Sequence, residues 1–180
     1  GSISIYRNEK GKFIEGKNTD NLAKSLTSRV TAIVIGDYDS DLKPDILVGQ
    51  TDGLRLFHND GNGKFSDATN SAKLPPSHLS KTAAWVDFDH DGDLDIFASG
   101  GSNLLLRNNN DGTFTDVSNE AKISDKINGN ALVPTDYNNS RDVDLLVVGD
   151  NKTYLYSNQR NDTFEDVAND IGIDIGGNSV

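Results

Sequence analysis

The sequence predicts an all-β fold of β-propeller blades, each of four antiparallel strands, on three observations. A Phe-containing segment returns at Phe13, Phe65, Phe114 and Phe164, roughly every fifty residues. An Asp-rich loop recurs once per repeat between two short apolar runs. No stretch holds the 3.6-residue apolar periodicity of a long helix, which excludes a solenoid of helix pairs.

The Phe segments share one pattern: Ile5-Tyr6-Arg7-Asn8 to Phe13, Leu56-Phe57-His58-Asn59 to Phe65, Leu105-Leu106-Arg107-Asn108 to Phe114, and Leu155-Tyr156-Ser157-Asn158 to Phe164. A second unit lies between them, in Thr31 to Gly49, Thr82 to Gly100 and Asn130 to Gly149. Its apolar runs, such as Ile46-Leu47-Val48 and Ile96-Phe97-Ala98, have strand length. Each repeat therefore reads as strand A before the acidic loop, B after it, C ending at Asn, and D carrying Phe. Turn signals separate them, as in Thr51-Asp52-Gly53 and Asn110-Asp111-Gly112. Four such strands per repeat are the unit of a propeller.

The chain divides as a single propeller segment over 1–180. An outer half-blade covers 3–16, full blades cover 30–68, 82–117 and 130–167, and a C-terminal linker covers 168–180. Three and a half blades are fewer than a closed ring uses, so the segment is expected to belong to a larger propeller or to complete its ring with another chain.

The first acidic loop places Asp37, Asp39, Asp41 and Asp45 at positions 1, 3, 5 and 9. The second repeats this with Asp87, Asp89, Asp91 and Asp95, and has Gly92 at position 6. The third keeps Asp136 and Asp144 but replaces the middle with Asn138 and Ser140. Alternate carboxylates in a tight turn converge on one point, and their mutual repulsion calls for a cation. An all-oxygen set with six or seven donors suits Ca2+ better than Mg2+ or zinc. By analogy with other calcium loops, position 7 supplies a backbone carbonyl, from Lys43, Asp93 or Asp142. An EF-hand is excluded for the second loop, because its position 12 is Ala98 in an apolar strand rather than a Glu. Leu42 at position 6 is expected to weaken the first loop if that residue is left-handed. In the third loop, Arg141 at position 6 is expected to fold over the loop as a substitute cation. His90 is expected to point outward.

The formal net charge is −11, with Asp+Glu 28 against Lys+Arg 17, and no basic stretch, which argues against nucleic acid as a partner. No apolar run approaches the roughly 18 residues of a membrane span, so no membrane insertion is expected. The three His occupy unrelated places in the repeat, and the paired carboxylates recur with the blade period, so no catalytic residues are assigned and the chain is read as not an enzyme.

The stretch Ala84-Trp85-Val86-Asp87-Phe88-Asp89-His90-Asp91-Gly92-Asp93-Leu94-Asp95-Ile96, followed by Leu106-Arg107-Asn108 and Asp111-Gly112-Thr113-Phe114, resembles the FG-GAP or VCBS-type repeats of integrin-α-like propellers. It is especially similar to bacterial relatives of cartilage acidic protein. The resemblance implies a propeller of about seven blades with calcium in the A–B hairpins and an extracellular, periplasmic or cell-surface location. Weak calcium loops would be saturated by millimolar external calcium.

The expected function is a calcium-binding scaffold or interaction surface for an unidentified protein or glycan, with self-association as a route to a complete ring. A lectin-like propeller is the alternative, for which Tyr38, Trp85, Tyr137 and Tyr154 are the available aromatics, although Trp85 is expected to pack in the core. A segment of a polysaccharide-active enzyme is the third reading.

Overall fold

A computed structural model describes residues 3–16, 20–123 and 126–173. Three four-stranded antiparallel sheets make up most of it. A two-stranded hairpin precedes them, formed by β1 (Tyr6–Glu9) and β2 (Lys12–Glu15). The first blade is β3 (Val30–Gly36), β4 (Asp45–Gln50), β5 (Leu54–Gly61) and β6 (Lys64–Asp67). The second is β7 (Ser80–Val86), β8 (Asp95–Gly100), β9 (Asn103–Asn108) and β10 (Phe114–Asp116). The third is β11 (Gly129–Thr135), β12 (Asp144–Gly149), β13 (Thr153–Asn158) and β14 (Phe164–Asp166). In each sheet, strand order follows chain order, so every neighbour is a simple hairpin partner.

The second strand of each blade is flanked by partners on both edges. All six residues of β4 and of β8 are buried. The inner strands β3, β7 and β11 lie side by side, with β7 in the middle. Each has a register shift at the same place, after Val30, Ser80 and Gly129. Such a bulge adds twist to the strand.

Apolar side chains between neighbouring sheets form the core. One cluster joins Tyr38, Leu47, Leu54 and Leu56 of the first blade to Ile96, Ala98, Leu104 and Leu106 of the second. Another joins Val86, Phe88, Phe97 and Leu105 to Leu145, Val147 and Tyr156. Trp85 lies in the first of these interfaces as expected, stacked on Tyr38 with ring centroids 6.4 Å apart. It needs Gly36 beneath it, since a Cβ there would come within 2.6 Å of the indole.

Backbone hydrogen bonds also cross between blades. Phe114 N donates to Ala72 O (2.9 Å), and Phe164 N donates to Ala121 O (2.9 Å). One element was not foreseen in the sequence, the short helix α1 (Asp20–Ser25). Its Leu22 is buried with Ile46, Val48 and Phe57 on the outer side of the first blade.

Candidate metal centre

The three acidic loops join the first and second strands of the three blades and share one backbone form. Position 4 has positive φ in each, at Ser40 (58°), His90 (63°) and Asn139 (59°). Position 6 does as well, at Leu42 (66°), Gly92 (91°) and Arg141 (73°). For an L residue this conformation costs about 1–2 kcal/mol, so only the second loop adopts it at position 6 without strain.

The last Asp of each loop is the fixed point. Asp45, Asp95 and Asp144 are fully buried. Asp95 accepts from Phe88 N (3.1 Å) and Asn108 N (2.7 Å). Asp45 accepts from Tyr38 N (3.2 Å) and Asn59 N (2.7 Å), and Asp144 from Tyr137 N (3.2 Å) and Asn158 N (2.8 Å). Burial pushes all three carboxyls up, Asp95 to about 7, even though these hydrogen bonds pull the other way. A cation beside the carboxylate would reverse that effect.

The loops differ in what the first Asp does. Asp37 accepts from Asp41 N (3.0 Å) and Leu42 N (2.8 Å), and Asp136 accepts from Ser140 N (2.8 Å) and Arg141 N (3.1 Å). In the second loop, Asp87 Oδ1 and Asp89 Oδ1 are buried with no hydrogen-bond partner. Burial, and after it the neighbouring Asp91, push the Asp89 carboxyl up.

Carboxylate oxygens of Asp87, Asp89 and Asp95 lie within 4.8 Å of one another, as do those of Asp37, Asp39 and Asp45. Asp41 instead groups with Asp39 and His58. His58 Nε2 is 3.0 Å from Asp39, and its Nδ1 is 3.0 Å from Asp60. The Lys43 ammonium pairs with Asp41. In the second loop, Asp91 is exposed and accepts from the backbone N of the half-buried Asp93 (2.9 Å). In the third, Asn138 Oδ1 accepts from Ser140 N (2.9 Å) and Ser140 Oγ from Asp142 N (3.3 Å). Among the described residues, Asp136, Asp142 and Asp144 form no such metal-ligating group.

One expectation for the third loop is corrected. The cation over it is Arg160, not Arg141: Arg160 Nε is 2.6 Å from Asp142 Oδ2, and its guanidinium also donates to Ser140 O. Arg141 is exposed. His90 points out of its own loop and is exposed, as expected, but also reaches the next blade, with Nε2 2.8 Å from Asp142 Oδ1.

Sequence reasoning also missed the Asn that ends each third strand. It was visible as a repeat residue but read only as a strand end. Asn108 Nδ2 donates to Tyr38 O (2.8 Å), and Asn158 Nδ2 donates to Phe88 O (2.7 Å), each in the preceding blade. Asn59 Nδ2 donates to Pro44 O (2.9 Å) within its own blade. The same Asn thus holds its own blade's buried Asp through the backbone and the neighbouring loop through the side chain.

Comparison with curated proteins gives no match. Among solved structures, the chain is similar to one described as the structural basis of specific recognition of non-reducing terminal N-acetylglucosamine by an Agrocybe aegerita lectin. The identity is 17% and the TM-score 0.57, over 96% of this chain and 50% of that one. The chain thus spans about half the length of that structure, and the likeness is one of fold. The first two acidic loops and the strands that frame them, residues 37–98, match the FG-GAP-like repeat family.

Proposed function

We propose that this chain is a calcium-binding β-propeller module that presents an interaction surface, with calcium held first by the second loop and more weakly by the first. The observation that carries this reading is the pair of buried, unpartnered oxygens Asp87 Oδ1 and Asp89 Oδ1 beside the buried Asp95. Buried polar atoms without partners are rare, and two carboxylates aimed together are destabilising unless a cation joins them. Asp91 and the Asp93 carbonyl complete an oxygen set suited to Ca2+. In the first loop, Asp37, Asp39 and Asp45 gather in the same way, but Asp37 already accepts two backbone N–H groups and Leu42 is strained.

Calorimetric titration with Ca2+ tests this. Wild type should release heat, Asp89→Asn should lose the tighter phase, and Asp39→Asn only the weaker. A wild-type chain that gives no heat and melts at one temperature with or without chelator would defeat the proposal.

The module is read as a scaffold rather than an enzyme, working where calcium is millimolar, outside the cell or at its surface. Among the described residues no helix is long and apolar enough to cross a membrane. The partner surface includes two sheet faces at either end of the blade series. Ile33 and Ile35 are exposed on the first blade, although their counterparts Ala83 and Trp85 pack into the first interface. Val133 and Tyr137 are exposed on the third, although Ala84 and Phe88 are buried. Further blades or a second copy would cover both faces, and mass in solution distinguishes the monomer from the self-associated form.

A glycan is the second ligand class, favoured by the lectin likeness and by the exposed Tyr137. Tyr38 and Trp85 serve in the core instead.

A further inference from the structure

We infer that the third acidic loop is closed to calcium because it carries its own cation, the Arg160 guanidinium, so that a side-chain ion pair takes the place of the metal in this blade. The inference rests on the calcium reading of the second loop, of which the third is the altered copy.

The loop backbone is unchanged. Positive φ at positions 4 and 6, the buried final Asp and its two N–H donors are all retained. The charge is what changes. Asn138 and Ser140 stand where the other loops have Asp, which removes two of the carboxylates that would bind a divalent ion. Besides Asp144, Asp142 is buried, with 5% of its side chain exposed. Both of its oxygens are taken: Oδ2 by Arg160 Nε at 2.6 Å, and Oδ1 by His90 Nε2 at 2.8 Å. Arg160 also donates to the carbonyl of Ser140, so it meets two loop acceptors at once. A planar guanidinium with a rigid fork of donors suits this task, and a lysine point charge would not span both acceptors.

The position of Arg160 explains why it can reach. It lies two residues beyond Asn158, in the turn after β13, and its N–H bonds Asn158 Oδ1 at 2.9 Å. The Asn that fixes Asp144 therefore also fixes the base of the arginine. The equivalent turn of the second blade has Asn110, which carries no charge. The second loop keeps two unpartnered buried oxygens and gathers the carboxylates of Asp87, Asp89 and Asp95, whereas the third has the Arg160 guanidinium and, among the described residues, no comparable carboxylate cluster.

Terbium luminescence on the whole chain tests this, because position 2 differs between loops. Tyr137 sensitises an ion in the third loop, whereas the second has Phe88 there. Wild type should show no Tb3+ emission that Tyr137→Phe removes. Arg160→Gln should show such emission and should melt about 5 °C lower without metal. Arg160→Lys should restore most of the melting temperature but only part of the block. If Arg160→Gln fails to fold, Arg160→Gln with Asp142→Asn removes both partners of the pair, keeps the position 7 backbone carbonyl, and should fold and show Tyr137-dependent Tb3+ emission; a folded double variant that stays dark would overturn the inference. Tyr137-dependent emission from wild type as strong as from Arg160→Gln would overturn the inference, as would an Arg160→Gln chain that melts like wild type and stays dark. Calcium heat lost in Asp89→Asn reports the second loop separately, so failure of the calcium reading is seen independently of the third loop.

Discussion

The second and third acidic loops have the same backbone and opposite electrostatics. Both turn through left-handed residues at positions 4 and 6, and both end on a buried Asp held by two N–H donors. The second leaves Asp87 Oδ1 and Asp89 Oδ1 without partners, whereas in the third Asp142 pairs with the Arg160 guanidinium and contacts His90. The loop shape is therefore set by the Asp–Asn frame, and the middle positions decide what fills it. A repeat can change the charge of its loop without changing the loop backbone.

The comparison can be broken most strongly by pH. Burial raises the Asp95 carboxyl to about 7, well above its unfolded value. Between those two values the folded chain holds a proton that the unfolded chain has released. The contribution of Asp95 to the stability of the metal-free protein is thus fully present below about pH 4 and is lost as pH rises to about 7, by on the order of 4 kcal/mol. Calcium should flatten this slope, since the ion replaces the proton. Denaturant midpoints at pH 5 and pH 8, with chelator and with calcium, measure it; equal slopes in both conditions would mean that Asp95 does not face the ion. Asp95→Asn should remove more of the slope than Asp144→Asn.

A smaller effect separates the connected blades from the first. Asn108→Ala removes a side-chain bond to the preceding blade, whereas Asn59→Ala removes one within its own. Leaving Tyr38 O and Leu94 O without their donor should cost about 2 kcal/mol for Asn108, and about 1 kcal/mol for the exposed bond of Asn59. Thermal melts of the two variants would decide, and equal losses would remove the distinction between blades.

The smallest change concerns position 6. Leu42→Gly should relieve left-handed strain and raise stability by about 1 kcal/mol, with tighter calcium binding in the first loop. Gly92→Leu should do the reverse in the second. Calorimetry of the pair checks both signs.

The blades were legible because they repeat: four copies of the Phe segment and three of the acidic unit give strand order and loop position without any long-range information. The left-handed position 6 was legible too, since Gly92 marks it. The partners of the loops were not. Arg160 lies far from Asp142 in the chain, and only the hairpin between β12 and β13 brings them together. His90 meets Asp142 across two blades, a contact that no within-repeat pattern encodes. Arg141, adjacent in sequence, was the nearer candidate, but it is exposed, and Arg160 makes the contacts. Helix α1 was hidden for a similar reason, as it is held by Leu22 packing on the first blade rather than by a periodic pattern of its own.

The Asn side chains that cross between blades give the molecule a direction. Asn158 of the third blade holds Phe88 O in the loop of the second, and Asn108 of the second holds Tyr38 O in the loop of the first. The first and second loops are thus each braced by the blade that follows in the chain. In a nearest-neighbour array, a tug on the C-terminal end would peel the third blade and strip the brace from the second loop, while a tug on the N-terminal end would leave that brace in place. Ion release under tension would then depend on which end is pulled.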